Sequence, residues 1–141
     1  HHAEILIMDE PTSGLDPLVR SEFIYMLKEL AQQGVSILFS SHITSDLEKI
    51  ADDIIFIHKG HILLQKEIDD LLSSHFVVKD KLDLLNPENK KLFLKVSENK
   101  GFFEGIYNGN KEFIIEKFPE ANIAPANIEE IMLGHIFSYI G

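Results

Sequence analysis

The chain has 141 residues, 45% hydrophobic and 26% charged, enough for one domain with a core or two small lobes and too apolar for a disordered segment. Its net charge of −10 weighs against nucleic acid as the main partner, because backbone binding rests on clustered Lys and Arg. With no cysteine, disulfides, thiolate chemistry and Cys-ligated zinc are excluded, and no apolar run approaches the roughly 20 residues that span a bilayer.

His1 and His2 open the chain as either a tag remnant or native sequence. Glu4–Met8 then predicts a short buried strand, because Ile5-Leu6-Ile7-Met8 is continuously apolar and ends in two acids, Asp9 and Glu10. Residues 9–16 are rich in turn formers. Pro17 suits the first turn of a helix, with Asp16 as its N-cap. Val19, Phe23, Met26, Leu27 and Leu30 recur at helical spacing, and Gly34 ends the helix.

Val35–Ser40 reads as a second apolar strand, followed by Ser41, His42 and a short helix near Thr44–Ala51. Asp53–His58 is a third strand, and Lys59-Gly60 turns it into a hairpin with His61–Gln65. Lys66–Ser74 reads as another short helix. Very apolar strands alternating with helices point to α/β architecture with a parallel sheet covered on both faces.

Near residue 75 the pattern changes. Phe76–Val78, Leu92–Val96 and Phe102–Tyr107 are short segments separated by Asn, Gly and Lys turns, whereas Phe113–Phe118 fits helix or strand equally. Pro119 and Pro125 bracket a connector. Asn127 with Glu130 three residues on has the form of a capping box, starting a last helix through about Tyr139. Two regions result, 1–74 and a small α+β lobe at 75–141. His58, His61, His75 and His135 read as surface or hairpin histidines, and Phe102 and Phe103 as core of the small lobe.

Two adjacent carboxylates at the C-terminal end of a buried strand lie where α/β sheets bind ligands. Because successive residues diverge there, one acid suits a metal ion and the other an attacking water. An isolated Asp-Glu pair is more often merely solvated. Here Pro11-Thr12-Ser13-Gly14-Leu15-Asp16-Pro17 follows without a gap, and Ser40-Ser41-His42 follows the next strand. These segments closely resemble the ABC ATPase family. Ile5–Glu10 looks like its Walker B strand, Ser13-Gly14-Leu15-Asp16 like its D-loop and His42 like its switch histidine. Arg20 and residues 52–60 also match the usual run of such domains, and Pro125–Leu133 resembles the tail of bacterial ABC subunits serving drug, antibiotic or peptide exporters.

The resemblance implies the C-terminal part of a P-loop NTPase-type sheet in an ABC transporter ATPase subunit, with ATP and Mg2+ as cofactors. Asp9 would bind magnesium through water, and Glu10 would act as general base or water-orienting group. His42 would reach the γ-phosphate, donating a hydrogen bond from a neutral or charged imidazole. Ser13, Gly14 and Asp16 would contact a second ATPase domain in a dimer across the shared nucleotide. Further implied are an integral membrane permease as partner and a cytoplasmic position on the inner face of the membrane. No Gly-x-x-x-x-Gly-Lys-[Ser/Thr] phosphate loop and no Leu-Ser-Gly-Gly-Gln-like stretch occurs in the 141 residues, so the chain alone is expected not to hydrolyse ATP. A soluble ABC ATPase of DNA repair or translation and a non-catalytic regulatory module are the alternatives.

Overall fold

The computed structural model describes residues 4–140, so the opening His1 and His2 lie outside the described residues. The chain is mixed α/β and divides into two compact units, 1–51 and 52–141. That boundary precedes the change of patterning near residue 75. In the second unit the hairpin of residues 53–67 packs against the last helix, with Phe56 beside His135.

In the first unit, β1 (Ile5–Asp9) pairs in parallel with β2 (Ser36–Ser40), joined by helix α1 (Pro17–Gln32); α2 (Thr44–Ile50) follows β2. The register sets Ile5 against Ser36 and Asp9 against Ser40. Asp16 caps α1 as its composition suggests, its carboxylate accepting the Val19 N–H at 3.0 Å. Alternation divides the strands: Leu6, Met8, Ile37 and Phe39 are half-buried, whereas Ile5, Ile7 and Leu38 stay exposed. The fully buried strand read from continuous apolarity is therefore half open, since a two-stranded ribbon covered on one side shields only every second residue. The helix likewise buries Ile24 and Leu27 and leaves Val19 and Met26 exposed.

In the second unit, β3 (Asp53–His58) and β4 (His61–Glu67) form the expected antiparallel hairpin. Within this unit β3 pairs with β4. Helix α3 (Ile68–Ser73) leads into β5 (His75–Lys81). A 3-10 turn at Leu82–Leu84 and the short helix α4 (Pro87–Lys90) precede β6 (Phe93–Asn99) and β7 (Phe102–Asn108). Then come α5 (Lys111–Lys117), β8 (Asn122–Pro125) and α6 (Ile128–Ile140).

The sheet runs β6-β7-β5-β8, antiparallel throughout. Phe113–Phe118, ambiguous by pattern, lies mostly in α5, capped by Asn110, whose side chain accepts the Phe113 N–H. The segment between Pro119 and Pro125, expected as a connector, contains β8; edge placement tolerates the missing proline N–H. The capping box of α6 forms as read, with Asn127 and Glu130 exchanging backbone-to-side-chain bonds of 3.0 and 2.8 Å.

Phe93, Phe103, Tyr107 and Phe118 build the core on one face of this sheet, with ring centroids 5.4–6.5 Å apart. Burying each ring contributes about 1.5–3 kcal/mol. Gly105 makes room for it: a Cβ there would lie 2.5 Å from the Phe93 ring. Phe103 is core as expected, whereas Phe102 is exposed. No helix among the described residues is long and apolar enough to cross a membrane.

Two histidines read as surface residues prove otherwise. His75 is fully buried, and its Nε2 lies 2.9 Å from His135 Nε2 on α6. The Leu71 carbonyl, 2.8 Å from His75 Nδ1, can only accept, so Nδ1 carries the proton and Nε2 accepts from His135. Burial pushes both imidazoles below the ordinary histidine value. The Leu71 carbonyl partly opposes this at His75, the neighbouring imidazole adds to it at His135, and Lys66 on β4 adds to it at both. The unfolded chain, with histidines near pKa ~6.5, therefore binds more protons in mild acid than the fold does.

Stability of this unit should be complete above pH ~6.5 and fall as pH drops below it, by up to about 1.4 kcal/mol per pH unit for each imidazole protonated. Urea denaturation between neutral pH and pH ~5 checks this. The slope should flatten in His135→Leu; an equal slope in that variant would show that the pair is not its source.

Candidate functional site

The end of the parallel ribbon gathers most of the polar chemistry of the first unit. Asp9 closes β1 and Ser40 closes β2, directly opposite in register. The Ser40 hydroxyl donates to the Asp9 carboxylate, and the Ser40 carbonyl accepts the Glu10 N–H at 3.0 Å. Glu10 is left-handed, with φ of 49°, a conformation that costs a non-glycine residue about 1 kcal/mol or more. Its main chain is held on both sides, since its carbonyl accepts the Ser13 N–H at 3.1 Å. This kink at the strand end sends the two acids different ways: Asp9 remains exposed beside Ser40, while Glu10 turns, half-buried, toward the segment after β2.

There it meets His42, with Nδ1 2.6 Å from Glu10 Oε2. The contact is a close approach rather than an aligned hydrogen bond, since Glu10 Oε2 has no hydrogen-bond donor directed at it. His42 is otherwise open to solvent, its side chain 74% exposed against 34% for Glu10. The fold thus brings together three of the residues singled out in the sequence, Asp9, Glu10 and His42, across thirty residues of chain.

Ser13 and Gly14 lie on the exposed turn between Glu10 and α1, apart from that cluster. Gly14 has φ of 80°, which a side chain would strain. Asp16 is occupied as the helix cap.

Two parts of the arrangement escaped the sequence reading. One is Ser40, hidden in an apolar strand pattern. The other is a buried anchor beneath the loop. Asp46 on α2 is fully buried and accepts the Thr12 hydroxyl at 2.8 Å, with Arg20 Nε of α1 at 3.4 Å. Thr12 is itself buried at 2% exposure, so loop, first helix and second helix are tied at one carboxylate. The available signal was the pairing of Arg20 with an acid four residues beyond His42, though sequence spacing does not say that they meet.

As a metal centre the site is sparse: among the described residues no three His, Cys, Asp or Glu side chains cluster to hold an ion. A carboxylate at an exposed strand end fits magnesium, which keeps several waters and takes one or two carboxylates plus substrate phosphates. It does not fit zinc or calcium, which require more protein ligands.

Comparison with known proteins points to one group of relatives. A family model described as "AAA domain, putative AbiEii toxin, Type IV TA system" matches residues 1–45. The chain is 46% identical over 66 residues to the lantibiotic transport ATP-binding protein SrtF of Streptococcus pyogenes, covering 47% of this chain and 29% of that protein. It is 43% identical over 72 residues to the bacitracin transport ATP-binding protein BcrA of Enterococcus faecalis, covering 50% of this chain and 23% of that protein. An uncharacterized ABC transporter ATP-binding protein of Synechocystis is 30% identical over 120 residues, covering 84% of this chain and 34% of that protein. The chain is thus a homologue of ABC transporter ATP-binding proteins, and these alignments span between 23% and 34% of the relatives' own length.

Removing the buried carboxylate leaves a guanidinium and a hydroxyl without their partner. Asp46→Ala should therefore cost about 3 kcal/mol, against about 1 kcal/mol for Thr12→Val. Urea midpoints of the two variants and their double mutant check this. Strict additivity would show that Thr12 and Asp46 do not act as a pair.

Proposed function

We propose that this chain, a homologue of ABC transporter ATP-binding proteins, supplies the metal, base and switch end of an ATPase site that powers transport across a membrane. The observation that carries the reading is the 2.6 Å contact between Glu10 and His42 at a strand end that also presents Asp9. In this reading Asp9 holds Mg2+ through water, and the ion neutralises charge on the transferred phosphoryl group. Glu10 orients the attacking water and takes its proton. His42, with Nδ1 beside Glu10, directs Nε2 to an oxygen of the γ-phosphate. Ser13, Gly14 and Asp16 occupy the loop that faces a second ATPase domain, and a membrane permease receives the mechanical output.

The phosphate cradle is not among these 141 residues, which contain no Gly-x-x-x-x-Gly-Lys-[Ser/Thr]. A site of this kind needs those backbone N–H groups for most of its hold on the nucleotide. We therefore place the chain within a longer subunit, in keeping with the fraction of its relatives that it spans. Transport of a peptide antibiotic, named for two relatives, is the cargo class this reading favours. The acidic net charge of −10 argues against the alternative of a DNA- or ribosome-bound ATPase.

In the full-length subunit, Glu10→Gln should lower ATP turnover by about 10²–10⁴ while nucleotide binding persists. The 141-residue chain alone should neither hydrolyse ATP nor bind it tightly. Micromolar MgATP binding by the isolated chain in isothermal titration, or full turnover in Glu10→Gln, would contradict the assignment.

A further inference from the structure

One hydroxyl touches both acids. Ser40 Oγ donates to Asp9 Oδ1 and lies 3.2 Å from the Glu10 N–H, which it accepts. The directions are fixed by chemistry, because an ionised carboxylate only accepts and an amide N–H only donates. A serine has one hydroxyl hydrogen and lone pairs besides, and both capacities are engaged here. Ser41 cannot substitute for it. Successive strand residues project to opposite faces, and the Ser41 hydroxyl instead accepts the Ile43 N–H at 2.9 Å.

We propose that Ser40 is a positioning residue of the site, its hydroxyl holding the Asp9 carboxylate for a divalent cation while bracing the Glu10 main chain. This rests on the function proposed above. An aspartate at an exposed strand end is otherwise free to change rotamer. Magnesium demands near-octahedral geometry at about 2.0–2.1 Å, so a wandering ligand is a weak one. A hydrogen bond to a charged carboxylate is among the stronger kinds and restricts that freedom. Partners that orient a metal ligand typically contribute about 10–100-fold in metal affinity or activity.

The same geometry says what Ser40→Ala leaves intact. The Glu10 N–H keeps the Ser40 carbonyl at 3.0 Å, so the strand end and the turn toward His42 survive. The loss falls mainly on Asp9.

The test uses the full-length subunit, with Mn2+ titrated by electron paramagnetic resonance in the presence of a non-hydrolysable ATP analogue. Turnover against Mg2+ concentration is read alongside. Ser40→Ala should weaken Mn2+ binding at least about tenfold and raise the Mg2+ needed for half-maximal turnover by a similar factor. Affinity for the analogue without metal should not change. Ser40→Thr, which keeps the hydroxyl and suits a strand, should restore wild-type values. Should Ser40→Ala fail to fold, Ser40→Cys, a weak donor of similar size, carries the same expectation. Unchanged Mn2+ affinity in Ser40→Ala, or in Ser40→Cys where alanine does not fold, with Asp9→Asn impaired, would overturn the role of Ser40 and spare that of Asp9. Undiminished Mn2+ binding in Asp9→Asn would overturn both.

Discussion

The site depends on one pairing, the parallel register that sets Asp9 against Ser40. Side chains alternate along a strand, so a slip of one residue would exchange the half-buried Leu6, Met8, Ile37 and Phe39 for the exposed Ile5, Ile7 and Leu38. It would also replace Ser40 by Phe39 or Ser41 opposite Asp9. Apolar burial on one face thus enforces the same register that the polar strand ends require. The hydrophobic pattern and the site are two results of a single constraint.

Parallel pairing needs a crossover, and the crossover carries the second constraint. Helix α1 returns the chain, and the loop before it must stay compact enough to feed that helix from Glu10. Asp46 meets this need by collecting Thr12 from the loop and Arg20 from the helix at one buried carboxylate. Because Asp46 lies in the first turn of α2, four residues beyond His42, the anchor that holds the loop also fixes the helix that follows His42. Buried ion pairs are weak arguments for stability but good devices for fixing an arrangement, and this one joins three elements.

Most of this architecture was legible wherever a residue's role is local. Asp16 before Pro17, Asn127 with Glu130, and Lys59-Gly60 each act within a few residues, so their chemistry can be read in order along the chain. Asp9, Glu10 and His42 were singled out through a motif, and the structure sets Glu10 against His42. What escaped was long-range. Ser40 looked like the end of an apolar strand, and its value appears only once β1 lies beside it. His75 looked like a polar residue at a boundary, yet it is buried because His135, far along the chain, supplies its hydrogen bond. The strand at 53–58 was recognised together with its hairpin partner, since the Lys59-Gly60 turn between them is local.

The contact that assembles the site also constrains its use. His42 Nδ1 lies against Glu10 Oε2 at 2.6 Å, so the imidazole occupies one side of that carboxylate. A carboxylate has two oxygens, and Oε2 is the one nearer the imidazole. With Nδ1 on that side, Nε2 is the imidazole nitrogen left for another partner. Glu10 and His42 therefore restrict one another's orientation, and the left-handed backbone at Glu10 is the local cost of bringing them together. A glycine at position 10 would relieve that cost and remove the contact with His42, so the strained backbone and the contact belong to the same residue.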